Sequence, residues 1–265
     1  MVARASTPPA FGRLLALWRS RRGATQLQLA STAGTTPRHL SFLETGRSRP
    51  GRELVLRLAA ALDIPLRDRN AMLVAAGLAP EYPSLGLDDD RSASPLTAVL
   101  QRVLASHEPY PAWIYGTGLR ILGANRAAAR LFPDLAQMDP TAIIDLWFRP
   151  GPLRAMIENW PEVSTALLDT LRREVRQTAD PRSTKLLRRA ETLAQRASLA
   201  PTPPAADMPF ACPRLRIGDR RVRTIGAVLR FDTAVEVTAS ELRVELMFPA
   251  DEASAAFFRD AAAAG

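Results

Sequence analysis

From Phe11 to Gly77 the apolar residues recur at helical spacing in five short runs separated by turn residues. The first helix is predicted from Phe11 through Trp18, stopping near Gly23. Thr25 is placed to cap a second helix over Gln26 to Ala33, which Gly34 breaks. A third begins at Thr35 or Thr36, tolerates Pro37 in its first turn and ends at Thr45 before Gly46. A fourth spans Glu53 to Leu62, and Pro65 opens a fifth that closes at Gly77. Five short helices in so little chain predict a compact all-α unit.

The rhythm then changes. Residues 81–94 are rich in Pro, Gly and acid and read as a linker. A helix is predicted over Pro95 to Ser106. Trp113 to Tyr115 and Leu119 to Leu122 flank Gly116-Thr-Gly118 as a hairpin. Further helices are expected over Asn125 to Phe132, Thr141 to Phe148, Val163 to Thr178 and Arg182 to Arg196. After the break at Pro201-Thr-Pro-Pro204 the period becomes two. Strands are predicted over Leu215 to Ile217, Val222 to Phe231 and Leu242 to Phe248, with a last helix from Ala253. This order predicts an α+β domain over residues 95–265, with helices packed on an antiparallel sheet.

Charge sharpens that division. The 265 residues carry a net charge of +8. Residues 1–80 hold twelve arginines against four acids, a surplus of eight, and the remaining residues balance at 23 of each sign. Lys185 is the only lysine, so the chain prefers arginine throughout. That preference does not explain why the surplus is confined to one end. A small basic domain joined to a neutral one is the electrostatic pattern of a nucleic-acid binder with a partner domain.

The stretch Gln26 to Thr45 is laid out as a helix-turn-helix. Ala30 stands at its fifth place, where a small side chain lets two helices approach. Gly34 stands at the ninth, where a sharp turn favours positive φ. Leu40 and Leu43 face inward with Leu29 and Ala33. The outward residues of the second helix are then Thr36, Pro37, Arg38, His39, Ser41 and Phe42, positioned to enter a major groove of duplex DNA. Arg38 has the geometry to donate two bonds to guanine. Phe42 reads equally as a thymine-methyl contact or as partial core. Gln26, at a helix start, and Arg47 and Arg49, in the basic turn Gly46-Arg-Ser-Arg-Pro50, are expected on phosphates.

Other chemistries find little material. There is no glycine-rich phosphate loop, nucleophile elbow or HExxH, so no enzymatic activity is expected. Cys212 is the only cysteine, and with His39 and His107 alone an N/S metal site is not expected. No cofactor is expected. No apolar run reaches the length of a membrane span, and the N-terminal residues lack a secretory pattern. The expected home is the reducing cytoplasm, on the nucleoid.

Residues 11–80 resemble the XRE/Cro–repressor class of helix-turn-helix domains, five-helix units of the lambda-repressor type. The resemblance rests on Arg38-His-Leu-Ser-Phe-Leu-Glu-Thr-Gly-Arg47, Pro50, Leu54-Val-Leu-Arg-Leu-Ala59 and Asp63-Ile-Pro-Leu-Arg-Asp-Arg-Asn70. The whole chain resembles the branch in which this domain is joined to an MmyB-like ligand-binding domain. Trp113, Asn125-Arg-Ala-Ala-Ala-Arg-Leu-Phe132, Trp147-Phe148-Arg149-Pro150, Asn159-Trp160, Leu171-Arg-Arg173 and Gly226 carry that likeness. The likeness implies a PAS-like second domain around a pocket for a small hydrophobic ligand, fatty acids being one class, and a homodimer on an operator. Trp113, Tyr115, Trp147, Phe148 and Trp160 are then pocket candidates, or simply core. Asn125 is a further candidate, or a helix cap. The function expected is a transcription regulator that binds double-stranded DNA and senses a ligand. Two alternatives stay open: a ligand-independent regulator whose second domain dimerises or meets a protein, and an antitoxin-like protein that sequesters a partner.

Overall fold

The structure, a computed structural model, describes residues 10–84, 95–203, 211–231 and 234–264. Most of the expected linker, residues 85–94, lies outside them. The chain divides into two compact units.

The first unit holds five helices: α1 (Ala10–Arg21), α2 (Gln26–Thr32), α3 (Pro37–Thr45), α4 (Arg52–Ala61) and α5 (Leu66–Ala75). Each starts and stops on local chemistry. Thr25 and Gln28 form a reciprocal capping box at the head of α2. The Thr36 hydroxyl accepts the His39 N–H at the head of α3, and Pro37 supplies its first residue. Gly34 and Gly46 take the left-handed backbone that ends each of these helices, with φ of 62° and 79°. Leu15, Trp18, Leu29, Leu40, Leu43, Leu58 and Met72 fill the core between the helices. Asn70 holds the chain after α5, accepting the N–H groups of Glu81 and Tyr82 and donating to the Tyr82 carbonyl. Residues 81 and 82, expected to begin the linker, are thus tied to the helical unit.

The second unit begins with α6 (Pro95–Ser106), β1 (Ala112–Tyr115), β2 (Ile121–Ala124) and α7 (Arg126–Leu131). Next come α8 (Pro140–Phe148), α9 (Pro152–Met156), α10 (Trp160–Gln177) and α11 (Pro181–Arg196). It continues with β3 (Arg214–Ile217), β4 (Arg220–Arg230), α12 (Val237–Glu241), β5 (Arg243–Pro249) and α13 (Glu252–Ala263). The five strands form one antiparallel sheet in the order β2-β1-β5-β4-β3. β5 is therefore the central strand. One face of the sheet, through Trp113, Val222 and Met247, meets Phe148, Leu171, Leu186 and Ala190 of α8, α10 and α11. The other face, through Ile114 and Val244, meets Leu100 of α6.

The hairpin between β1 and β2 departs from expectation. A 3-10 turn over Thr117–Leu119 replaces the tight turn, and the second strand starts at Ile121. Glu174 explains the shape. Its buried carboxylate accepts the Gly118 N–H at 2.7 Å and the Ser183 hydroxyl at 2.7 Å, and pairs with Arg243 at 3.0 Å. One carboxylate thus ties the turn, α11 and β5 to α10, with its acceptor sites filled.

Candidate functional site

The helix-turn-helix is formed by α2, the turn Ala33 to Thr36, and α3. Ala30 is fully buried where the two helices meet. Arg57 steadies the turn by donating to the Ala33 carbonyl at 3.1 Å. On α3, Leu40 and Leu43 point into the core while Thr36, Pro37 and Arg38 are exposed and His39, Ser41 and Phe42 are part-buried. Arg47 and Arg49 are exposed in the turn that follows. These residues form one continuous surface.

Two interactions organise that surface. The guanidinium carbons of Arg38 and Arg47 lie 5.5 and 5.8 Å from the centroid of the Phe42 ring, within cation–π range. The part-buried Phe42 ring therefore stands between two guanidinium groups. Among the described residues, no acidic group pairs with Arg38, Arg47 or Arg49. By contrast, Arg19 is held by both oxygens of Glu44, at 2.7 and 3.0 Å, and Arg52 and Arg57 are paired with Glu81 and Glu53. The Glu44 hydrogen bond raises the pKa of Arg19. Glu44 also accepts from the Gln26 amide at 2.8 Å. The Gln26 side chain, expected on a phosphate, is thus engaged within the domain.

In the second unit, the structure brings five of the six pocket candidates into one cluster. Trp113 packs on Phe132 with ring centroids 5.9 Å apart, and Phe148 meets Trp160 edge-on at 6.0 Å. The Trp160 indole donates to the Trp147 carbonyl, and the Trp147 indole to the Ser164 hydroxyl, both at 2.9 Å. The Arg154 guanidinium lies 3.8 Å over the Trp160 ring. Trp113, Phe148 and Trp160 are buried; Tyr115 and Trp147 retain some accessible surface. Asn125 stands apart from the cluster. It caps α7 by accepting from Ala128, accepts the Ala112 N–H, and donates to the carbonyls of Tyr110 and Leu104. Its polar atoms are thus occupied by the fold. A separate cleft of about 420 Å³, lined by Glu158, Arg214, Arg221, Arg223 and Asp251 among others, is open and charged rather than enclosed and apolar. Its arginines are matched by Glu158, Glu162 and Asp251.

Comparison with known families agrees with both halves. Residues 10–72 match a helix-turn-helix domain. Residues 96–261 match the MmyB-like transcription regulator ligand binding domain. The chain belongs to the MmyB-like transcription regulators. No curated protein gives a significant match. An MmyB-like regulator of this composition is a DNA-binding transcription regulator, and the two matched families are not enzymes. Among the described residues, no helix is long and apolar enough to cross a membrane.

One residue of the regulator's second domain escapes a reading of the sequence by motif. Glu245 stands in the middle of β5, directly across from Trp113. Burial alone raises its pKa. The Tyr115 phenol is raised well above its usual value, first by burial and then by the Glu245 charge. Cys212 is raised mainly by burial, partly offset by the Gly226 N–H that its sulfur accepts at 3.1 Å. The sequence does carry a signal for Glu245. Leu242, Val244, Leu246 and Phe248 alternate, so Arg243, Glu245 and Met247 share the opposite face. Two charges on a covered face of a central strand need an explanation. Arg243 has one in Glu174.

Proposed function

We propose that this regulator binds operator DNA as a homodimer, with α3 of each protomer in a major groove, and that its second domain senses a small apolar ligand. The observation that carries the reading is the surface on α3: an exposed helix start followed by three guanidinium groups without acidic partners, two of them ranged on Phe42. Arg38 reads a base edge, with Thr36, Pro37, His39 and Ser41 around it. Arg47, Arg49 and the start of α2 at Gln26 grip phosphates. One helix contacts few bases, so two copies about 34–36 Å apart supply the specificity. A ligand shifts DNA affinity only if it binds the competent and incompetent arrangements differently.

Selection from a random duplex library tests the first part: the recovered sites should be inverted repeats with half-sites one helical turn apart. On such a site, Arg38→Ala should cost about 1–3 kcal/mol and relax preference at one position. Arg47→Ala should weaken all duplexes alike and flatten the salt dependence. If mobility shifts showed Arg38→Ala binding the selected site like the wild type, α3 would not be the reading helix. The ligand-independent alternative draws support from the dense packing of Trp113, Phe148 and Trp160. It requires DNA affinity that no small apolar molecule alters.

A further inference from the structure

The sheet is unevenly covered along β4. That strand runs eleven residues, Arg220–Arg230, but β3 is only four long and pairs with Arg220 to Arg223. On the other side β5 pairs without a shift from Thr224 to Arg230. Past Arg223, the outer edge of β4 therefore has no strand beside it among the described residues. Two side contacts hold its start: the Thr224 hydroxyl donates to the Pro213 carbonyl at 2.7 Å, and the Gly226 N–H to the Cys212 sulfur at 3.1 Å. Main-chain groups alternate in direction along a strand. Arg223 turns its own toward Ser254 and Ala250, on the β5 side, and Gly226 turns its N–H outward. Val228, two residues on, thus presents both its N–H and its C=O outward, and no described residue bonds to them there. Residues 226–230 are all exposed, Val228 to 56% and Leu229 to 36%. An apolar edge bare on both faces is a hazard that soluble proteins blunt with proline, bulges or charge. Residues 226–229 of β4 carry none of these.

Whatever covers such an edge must match its sequence, and this strand matches itself. Laid antiparallel about Val228, two copies set Val228 against Val228, Ala227 against Leu229, and Gly226 against Arg230. The outward groups of the two Val228 residues then exchange a pair of main-chain bonds. Each Leu229 meets an alanine, which leaves it room, and each Arg230 lies across a glycine, which offers no side chain to obstruct it. The two Arg230 residues end about 14 Å apart along the strands, four residue rises, so like charges do not face each other. This register also pairs the whole exposed stretch from end to end. We propose that the outer edge of β4 is an interface between copies of this chain, in which residues 226–230 pair antiparallel across a two-fold axis at Val228. Two five-stranded sheets then join into one. The assignment rests on the homodimer reading and gives it a surface.

The test follows the full chain by sedimentation over a concentration series in physiological salt. The wild type should pass from monomer to dimer. Val228→Lys and Val228→Glu each set like charges against each other at the axis, and each should raise the dissociation constant at least about tenfold while the protein still melts cooperatively. Mixed in equal amounts, the two variants should dimerise again, because only a two-fold axis at Val228 brings that residue opposite itself. Val99→Lys, at an exposed position of α6, should leave the dimer unchanged. A dimer that survives Val228→Lys overturns the assignment. So does a mixture of the two charged variants that stays monomeric, or a wild type that is monomeric at every concentration. The number of copies bound to the selected operator then separates the two readings. If the wild type still places two copies on it, the homodimer stands and only the β4 interface falls. If it binds as a single copy, both fall.

Discussion

Phe42 shows how one side chain can set the chemistry of a surface. Its ring lies between Arg38 of α3 and Arg47 of the following turn, and in the proposed reading it couples a base-reading residue to a phosphate-gripping one. Phe42→Leu keeps an apolar side chain of similar bulk but removes the π face. Operator affinity should fall by about 0.5–1 kcal/mol for each guanidinium deprived of the ring, with little change in melting temperature. Measuring both quantities on the same variant separates a platform from a core residue. Sequence alone does not choose between these roles, because both are served by an apolar side chain at that helical position. Glu245 carries the opposite kind of information, a charge whose cost appears only with the neighbours in place. Its native pKa lies above its unfolded value, so the folded state holds the proton more tightly and stability falls as pH rises through the native pKa. At neutral pH, Glu245→Gln should therefore raise the melting temperature by a few degrees. The advantage should shrink as pH falls from the native pKa toward the ordinary carboxylate range, where the unfolded chain also holds the proton. A gap that stays constant from neutral to mildly acid pH would contradict that ionisation.

At the scale of elements, punctuation makes the helices legible and distance hides the rest. Thr25, Thr36, Gly34 and Gly46 act within a few residues of themselves, and the ends of α2 and α3 follow from them. The five-residue helices α9 and α12 are too short to display a helical period, and the sequence pattern does not predict them. The strands are legible from alternation. Their order is not, because β1 and β5 are joined through pairings such as Ala112 with Leu246, which no local pattern encodes. The approach of α1 to α3 is hidden for a related reason. Gly12 lies against the α3 backbone so closely that a Cβ there would stand 2.4 Å from the Glu44 carbonyl oxygen. Backbone cannot yield as a flexible side chain does. Gly12→Ala should cost about 1–3 kcal/mol through overpacking, despite the better helix propensity of alanine, and denaturant titration would detect it. Arg19 and Gln26 converge on Glu44 beside this crossing, so its displacement would disturb the reading surface as well.

Across the whole molecule, the charge surplus and the uncommitted guanidinium groups fall in the same domain. The second domain also carries many arginines, but those on β3 and β4 are largely answered: Arg214 by Glu162, Arg216 and Arg221 by Glu158, and Arg220 by Asp260. Counterion release on DNA binding should therefore come from the first domain alone. Arg49→Ala should reduce the slope of log affinity against log salt, and Arg220→Ala should leave it unchanged. An equal effect of the two would mean that the second domain also touches the duplex. The position of β5 has a further consequence for how the regulator is made. The strand that joins β1 to β4 is synthesised after every other strand of the sheet. A nascent chain that has emerged only as far as Leu242 has all five helices of the first domain but only two separate hairpins of the sheet, β1-β2 and β3-β4, whose inner edges other chains can join. A chain that ends before the last strand would therefore keep the helix-turn-helix whole while the ligand-binding domain of its family stays unassembled.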